Sequence, residues 1–243
     1  MTPTILAVIP ARWGSSRLPG KMLADIAGKP LILYTLLNVS HCKSIDELIV
    51  ATDDERIIDA VKSAGFTAVM TDPALPSGSD RVWAAAKDHP AEIIVNVQGD
   101  EPLLPVAVID RAVALLKDTS HFDVTTAACP LPQERHTDPA AVKVVTGLDG
   151  RALYFSRAAI PYGREGHLDP ELIRLHVGIY VFRRKALKAF CSWSPTPLEQ
   201  SERLEQLRML EHGMSVGVVD VPGAGRGVDT KEDLELVRKA LGG

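Results

Sequence analysis

Arg12, Arg17 and Lys21 stand within one short stretch, Pro10-Ala11-Arg12-Trp13-Gly14-Ser15-Ser16-Arg17-Leu18-Pro19-Gly20-Lys21. Its Gly, Ser and Pro content predicts a loop, and Gly14, Ser15, Ser16 and Gly20 let backbone N–H groups approach an anion closely. Cations on such a loop suit a ligand that carries phosphates. Two better-known phosphate loops are excluded. The dinucleotide fingerprint G-x-G-x-x-G is absent. The P-loop pattern fails because Gly14 to Gly20 is one residue too long and Met22 stands where the magnesium-binding hydroxyl belongs. The alternative, a solvated surface loop, would leave these cations unpaired between a core strand and an apolar segment.

Carboxylates supply the complementary chemistry. Asp100 lies in Gln98-Gly99-Asp100-Glu101-Pro102, directly after an apolar run. A carboxylate there can hold magnesium, which takes one or two carboxylates plus substrate phosphates; a helix cap is the alternative. Asp229 is the natural second ligand, or else it caps the last helix with Glu232 as its box partner. Arg157, after Tyr154-Phe155-Ser156, suits the carboxylate of an acidic substrate, or is a surface arginine. His176 and Tyr180 share one face of a strand, where a satisfied core histidine is the alternative. Glu199, Glu202, Glu205 and Glu211 read mostly as a solvated helix face, and Gln206 could reach a sugar hydroxyl. Trp13, Trp83 and Trp193 read as packing residues.

These residues need a frame. Ile5-Leu6-Ala7-Val8-Ile9 reads as a buried strand, and the cationic loop follows its carboxyl end, where open α/β sheets bind ligands. Helix over 31–39, strand over 48–52, helix over 55–64 and strand over 66–70 follow. A helix begins near Ser77-Gly78, and strand 93–97 and a helix over 106–116 complete this half. Alternation of this kind predicts a parallel sheet covered by helices, with the first loop, the Ser77-Gly78 loop and the Asp100 loop meeting at one edge. The second half is less regular. It has strands near 124–128, 142–146, 175–182 and 215–221, a hairpin at Asp149-Gly150, helices near 183–190 and 198–212, and a closing helix after Thr230. The reading is one α/β domain over 1–243, with a β-rich excursion near 120–185.

The totals limit the function classes. At 243 residues a single domain can bury a large core without staples. A net charge of −4 argues against a nucleic-acid binder, so any anion site must be local. Cys42, Cys129 and Cys191 are scattered and lack metal spacing, as for reduced core thiols in a cytoplasmic protein. The short apolar start has no basic segment before it and reads as neither signal peptide nor membrane span.

Taken together the chain resembles the 3-deoxy-D-manno-octulosonate (Kdo) cytidylyltransferase family, over about 5–237. The landmarks are IPARWGSSRLPGK at 9–21, ATDDERI at 51–57, SGSDR at 77–81, VNVQGDEP at 95–102 and AVKVV at 141–145. They continue with ALYFSRAAIP at 152–161, HVGIY at 176–180, Thr196-Pro197-Leu198-Glu199, RLEQLR at 203–208 and GVDT at 227–230. Ser79 stands where threonine is usual, Trp13 replaces a more common tyrosine, and Ala224-Gly225-Arg226 departs from the family pattern. The resemblance implies a Rossmann-like nucleotidyltransferase sandwich with three layers and a mostly parallel central sheet. It also implies transfer of CMP from CTP to Kdo with release of pyrophosphate, for lipopolysaccharide biosynthesis. A homodimer, dependent on magnesium, is implied as well. By the same resemblance Arg12 and Lys21 meet the CTP phosphates, and Ala11, Ser77, Gly78, Arg81 and Gln98 complete the CTP site. Arg17, Gln98, Arg157, His176, Tyr180, Glu205 and Gln206 surround the sugar acid, and Asp100 and Asp229 hold Mg2+. A sister group acts on the 8-amino form of Kdo; the Asp100-Glu101-Pro102 form favours ordinary Kdo.

Overall fold

The computed structural model describes residues 4–14, 18–166 and 168–242. Ser15, Ser16 and Arg17 of the cationic loop lie outside the described residues. Contacts divide the chain into two compact units, Met1–Asp110 with Gly225–Gly243, and Arg111–Ala224.

The first unit begins with β1 (Ile5–Ala11), every residue of which is buried. A small hairpin follows, β2 (Asp25–Ile26) and β3 (Lys29–Pro30). Its turn residues Ala27 and Gly28 have φ of 48° and 84°, the mirror-image turn that suits the twist of paired strands. Then come α1 (Leu31–Val39), β4 (Glu47–Thr52), α2 (Glu55–Ser63), β5 (Thr67–Met70), α3 (Gly78–Ala86) and β6 (Ile93–Asn96). Helix α4 (Val106–Asp118) carries the chain into the second unit.

The order β6-β1-β4-β5 is parallel throughout, with β1 between β4 and β6. Strands buried on both faces read as continuous apolar runs, which is why β1 and β6 were legible. Asp54 caps α2 by accepting from the Arg56 N–H. Ser77 caps α3, its Oγ accepting from the Asp80 N–H and donating to Asp80 Oδ2 at 2.8 Å. Pro30 is the N-cap of α1, so that its ring precedes the helical hydrogen bonds.

The second unit contains β7 (Val124–Pro130), β8 (Lys143–Thr146), β9 (Ala152–Ser156) and β10 (Arg174–Arg183). It continues with α5 (Arg184–Ser192), α6 (Pro197–Glu202), α7 (Gln206–Glu211) and β11 (Val216–Asp220). Strand β7 pairs parallel with β11 and antiparallel with β10. The β8–β9 pair is the hairpin expected at Asp149-Gly150. The β-rich excursion is therefore β7 through β10.

One expectation fails here. The region 198–212 is two short helices, because Arg203 takes φ +53° and ends the first. Its glutamates do not share a solvated face. Glu199 is buried against Arg208, with Nε–Oε2 2.7 Å and Nη2–Oε1 2.5 Å. Glu202 accepts from Ser156 Oγ at 2.6 Å and from the Arg157 N–H at 2.9 Å. Cys42 and Cys129 are buried as expected of core thiols, but Cys191 is only half-buried.

The first unit closes with α8 (Lys231–Leu241). Val228, Leu234 and Val237 pack with Leu18, Ile26 and Leu31, so this last segment is anchored next to the cationic loop and α1. Among the described residues no helix is long and apolar enough to cross a membrane.

Candidate active site

At the carboxyl ends of β1 and β6 the backbone is drawn together by small residues. A β-carbon on Gly99 would lie 3.0 Å from the Pro10 carbonyl oxygen and 3.1 Å from Met22 Sδ. Only glycine lets the segment after β6 run this close to the start of the cationic loop. Gly78 faces the Pro10 ring and Gln98 Oε1. The three loops expected at one edge do meet there.

Lys21 is the centre of this edge. Its side chain is only 8% exposed, and Nζ lies 2.5 Å from Asp100 Oδ2 and 3.3 Å from Asp229 Oδ1. Burying an ammonium is tolerable when it is paired in this way. Asp229 is not the helix cap: Thr230 caps α8, and Asp233 is its box partner. Asp100 likewise meets Lys21 through its side chain, while its carbonyl accepts from the Val228 N–H at 2.8 Å. Glu101 adjoins the same cluster. Burial, then the charges of Asp100 and Asp229, push its carboxyl up to about 8, against the opposing pull of Lys21.

Two carboxylates on one ammonium form a net-negative cluster of hard oxygen donors. Among the described residues no group of three or more His, Cys, Asp or Glu is arranged to hold a metal alone. Such a set fits magnesium, which takes one or two carboxylates and draws further ligands from water and substrate phosphates.

The remaining residues of the first unit support this edge. Arg12 is exposed just past the buried Ala11. The Arg56 guanidinium lies 3.3 Å over the Trp13 ring, and the Trp13 N–H donates to Asp53 Oδ1 at 2.9 Å. Trp13 thus packs at the root of the loop. Arg81 is buried, donating to Thr71 Oγ1 and to Asp53 Oδ2, the latter at 3.1 Å. Gln98 Nε2 donates to Asn96 Oδ1 at 3.1 Å. Sequence reasoning did not assign Asn96, although a lone polar residue ending the apolar run Ile93-Ile94-Val95 was its signal. Sequence reasoning gave Asp53 no role at this site either.

The second unit holds the other predicted residues. Arg157 donates from Nε to the Glu202 carbonyl at 2.8 Å and from Nη1 to the Pro139 carbonyl at 2.9 Å; a longer bond at 3.4 Å reaches the Arg203 carbonyl. Lys143, also unassigned by sequence, is fully buried in β8 and donates to the carbonyls of Asp138 at 2.8 Å and Arg157 at 2.6 Å. Burial lowers its affinity for a proton. Its signal was a lysine between valines.

His176 Nε2 lies 2.9 Å from Thr126 Oγ1, with Phe155 edge-on and the Tyr180 ring centroid 5.5 Å away. Desolvation pushes this imidazole down to about 3, so it is neutral. Burial raises the Tyr180 phenol, and Glu205 adds to the effect. Gln206 is buried at the start of α7. These residues are brought into one unit, and Arg157 is tied there to the α6–α7 junction that bears Glu205 and Gln206.

Comparison with known proteins gives the family. The sequence profile of the cytidylyltransferase family matches residues 6–216. A relative in Acidobacterium capsulatum is 43% identical over 98% of this chain and 96% of its own, and is named 3-deoxy-manno-octulosonate cytidylyltransferase. One of the same name in Bdellovibrio bacteriovorus is 44% identical over 98% of this chain and 97% of its own. A solved CMP:2-keto-3-deoxy-manno-octonic acid synthetase complexed with CTP is similar at TM-score 0.94, with 38% identity and 98% of both chains covered. The fold alone is shared with 4-diphosphocytidyl-2C-methyl-D-erythritol synthase from Anaerococcus prevotii, at TM-score 0.67 and 17% identity over 99% of both chains. With its cationic loop, its paired carboxylates and relatives along nearly its whole length, the chain belongs to the cytidylyltransferase family.

Proposed function

We propose that this chain transfers CMP from CTP to Kdo, giving CMP-Kdo and pyrophosphate for lipopolysaccharide biosynthesis. The observation that carries this reading is the Lys21 ammonium held between Asp100 and Asp229 at the foot of the cationic loop. That is the charge pattern a metal-bound triphosphate requires, in a chain whose relatives bear this activity in their names.

In this reading the C2 hydroxyl of Kdo attacks the α-phosphorus of CTP. The hydroxyl gives up its proton to solvent, a bond from the sugar oxygen to phosphorus forms, the bond to the β-phosphate bridge breaks, and pyrophosphate leaves. Negative charge grows on the α-phosphate and on the leaving group. Lys21 and Arg12 neutralise it, so this chain contributes positioning and electrostatics and needs no nucleophile of its own. Magnesium, held by Asp100 and Asp229, would supply Lewis-acid stabilisation of the phosphate oxygens. Lys21, beside these two carboxylates, lies where its ammonium can meet the triphosphate. Ala11, Ser77, Gly78, Arg81 and Gln98 form the cytidine and phosphate surroundings, Arg81 by holding Asp53 under the loop. Arg157, His176, Tyr180, Glu205 and Gln206 take the sugar acid. A neutral imidazole and a protonated phenol offer hydrogen bonds to sugar hydroxyls without adding charge.

The proposal includes a single nucleotidyltransferase domain over 1–243, a homodimer and a cytoplasmic location. It is tested by coupled pyrophosphate release across nucleotides and sugar acids. Release that needs CTP, Kdo and magnesium together is the expected result. No release with fresh Kdo, or faster release with the 8-amino sugar, sialic acid or a sugar 1-phosphate, would replace this substrate assignment.

A further inference from the structure

The last loop of the first unit lies against the Asp100 segment at successive points, in antiparallel order. The Val228 N–H donates to the Asp100 carbonyl at 2.8 Å. A β-carbon on Gly227 would stand 2.7 Å from Glu101 Oε1 and 3.0 Å from Glu101 Cδ. A β-carbon on Gly225 would drive into the Leu103 carbonyl group, and Gly225 has φ +73° besides. The side chains of Leu103 and Val228 then join one apolar cluster with Leu18 and Leu31. The two stretches carry Asp100 and Asp229 at the end where they converge, and Lys21 bridges those carboxylates.

We propose that Gly225 and Gly227 are positioning residues for the metal-triphosphate site: by lacking side chains they let the loop seat on Asp100–Leu103, which fixes Asp229 beside Asp100. This inference rests on the cytidylyltransferase reading. The reason is geometric. Asp229 is exposed and sits two residues after Gly227; its carboxylate meets Lys21 at 3.3 Å and its N–H donates to Asp233, and the loop that leads into it sets where its backbone lies. Its position is inherited from the backbone contact at Val228 and from the close approach at Gly227. A methyl group at 227 meets the end of the Glu101 side chain, so that either this carboxyl, which adjoins Asp100 and Asp229, is displaced or the loop lifts, and lifting the loop moves the second carboxylate away from the first. At Gly225 the obstruction is backbone, which cannot rotate aside, and an L side chain is strained at that φ.

The test is Mn2+ binding, followed by spectroscopic titration with CTP present, on Gly227→Ala and on Gly227→Ala/Glu101→Asp. Gly227→Ala should weaken Mn2+ binding about 10–100-fold, the range seen when residues that orient metal ligands are lost. The magnesium half-saturation for turnover should rise in step while the Kdo KM stays unchanged. Glu101→Asp withdraws the carboxyl by one methylene, so the double variant should regain most of the affinity. A folded Gly227→Ala chain with wild-type Mn2+ affinity overturns the proposal. If the single variant does not fold, the double variant decides: wild-type-like Mn2+ binding supports the proposal, and weak binding in a folded double variant overturns it. Absence of pyrophosphate release by the wild-type chain would instead sink the cytidylyltransferase reading, and the Mn2+ titration is read independently of turnover.

Discussion

In the first unit Lys21 and Arg81 meet carboxylates, whereas Lys143 and Arg157 in the second meet backbone carbonyls. Lys21 sits between Asp100 and Asp229, and Arg81 reaches Asp53. Lys143 instead donates to the carbonyls of Asp138 and Arg157, and Arg157 to those of Pro139, Glu202 and Arg203. A charge balanced by side-chain charges can be exchanged: in the proposed function a metal would take the carboxylates and a phosphate the ammonium. A charge spent on carbonyls holds loops in one shape, because releasing it would strand buried polar groups. The contrast predicts that substitutions in the first unit act on turnover, and those in the second act on stability and sugar-acid affinity.

The largest effect is expected at Asp100. Asp100→Ala should lower kcat about a thousandfold, roughly 4 kcal/mol of transition-state stabilisation, with an unchanged melting transition. Wild-type turnover in that variant would break the contrast from the first side. Arg157→Ala should come next. It removes donors to the α6–α7 junction and to Pro139, and should cost about 2–3 kcal/mol in urea unfolding. It should also raise the Kdo KM far more than the CTP KM, and equal changes in both would contradict its placement.

His176 gives a smaller, pH-dependent effect. Its imidazole is held neutral, down to about 3, whereas in the unfolded chain it takes a proton near 6.5. Stability is therefore complete above 6.5 and falls as pH drops from 6.5 toward 3, because only the unfolded state binds the proton. By pH 5 the loss from this group is about 2 kcal/mol. Unfolding at pH 7.5 and 5 should show a loss smaller by that amount in His176→Phe. An identical slope would mean the imidazole is charged in the folded protein.

The parallel sheet of the first unit was legible because continuous apolar runs and helix caps are local signals. The meeting of Lys21 and Asp100 was legible for a different reason: parallel crossovers force strand ends to one edge, an argument that does not reach Asp229. What the sequence hid were the roles settled by contact. Glu199 and Glu202 looked like a solvated face because nothing local announces that the chain turns left-handed at Arg203. Lys143 was passed over because its worth lies in carbonyls brought to it from positions 138 and 157. The hairpin at Ala27-Gly28 was missed since each strand is only two residues long. Gly225 and Gly227 carry no local signal of a role, because their meaning lies in the segment pressed against them.

The claim at the centre of this account is that Asp100 and Asp229, released from Lys21, bind the metal that accompanies CTP. Calorimetric titration of CTP with and without magnesium, on the wild-type chain and on Asp229→Asn, tests it most directly. Magnesium should tighten CTP binding about tenfold or more in the wild type, roughly 1.4 kcal/mol, and have little effect in the variant. Equal tightening in both proteins would contradict it.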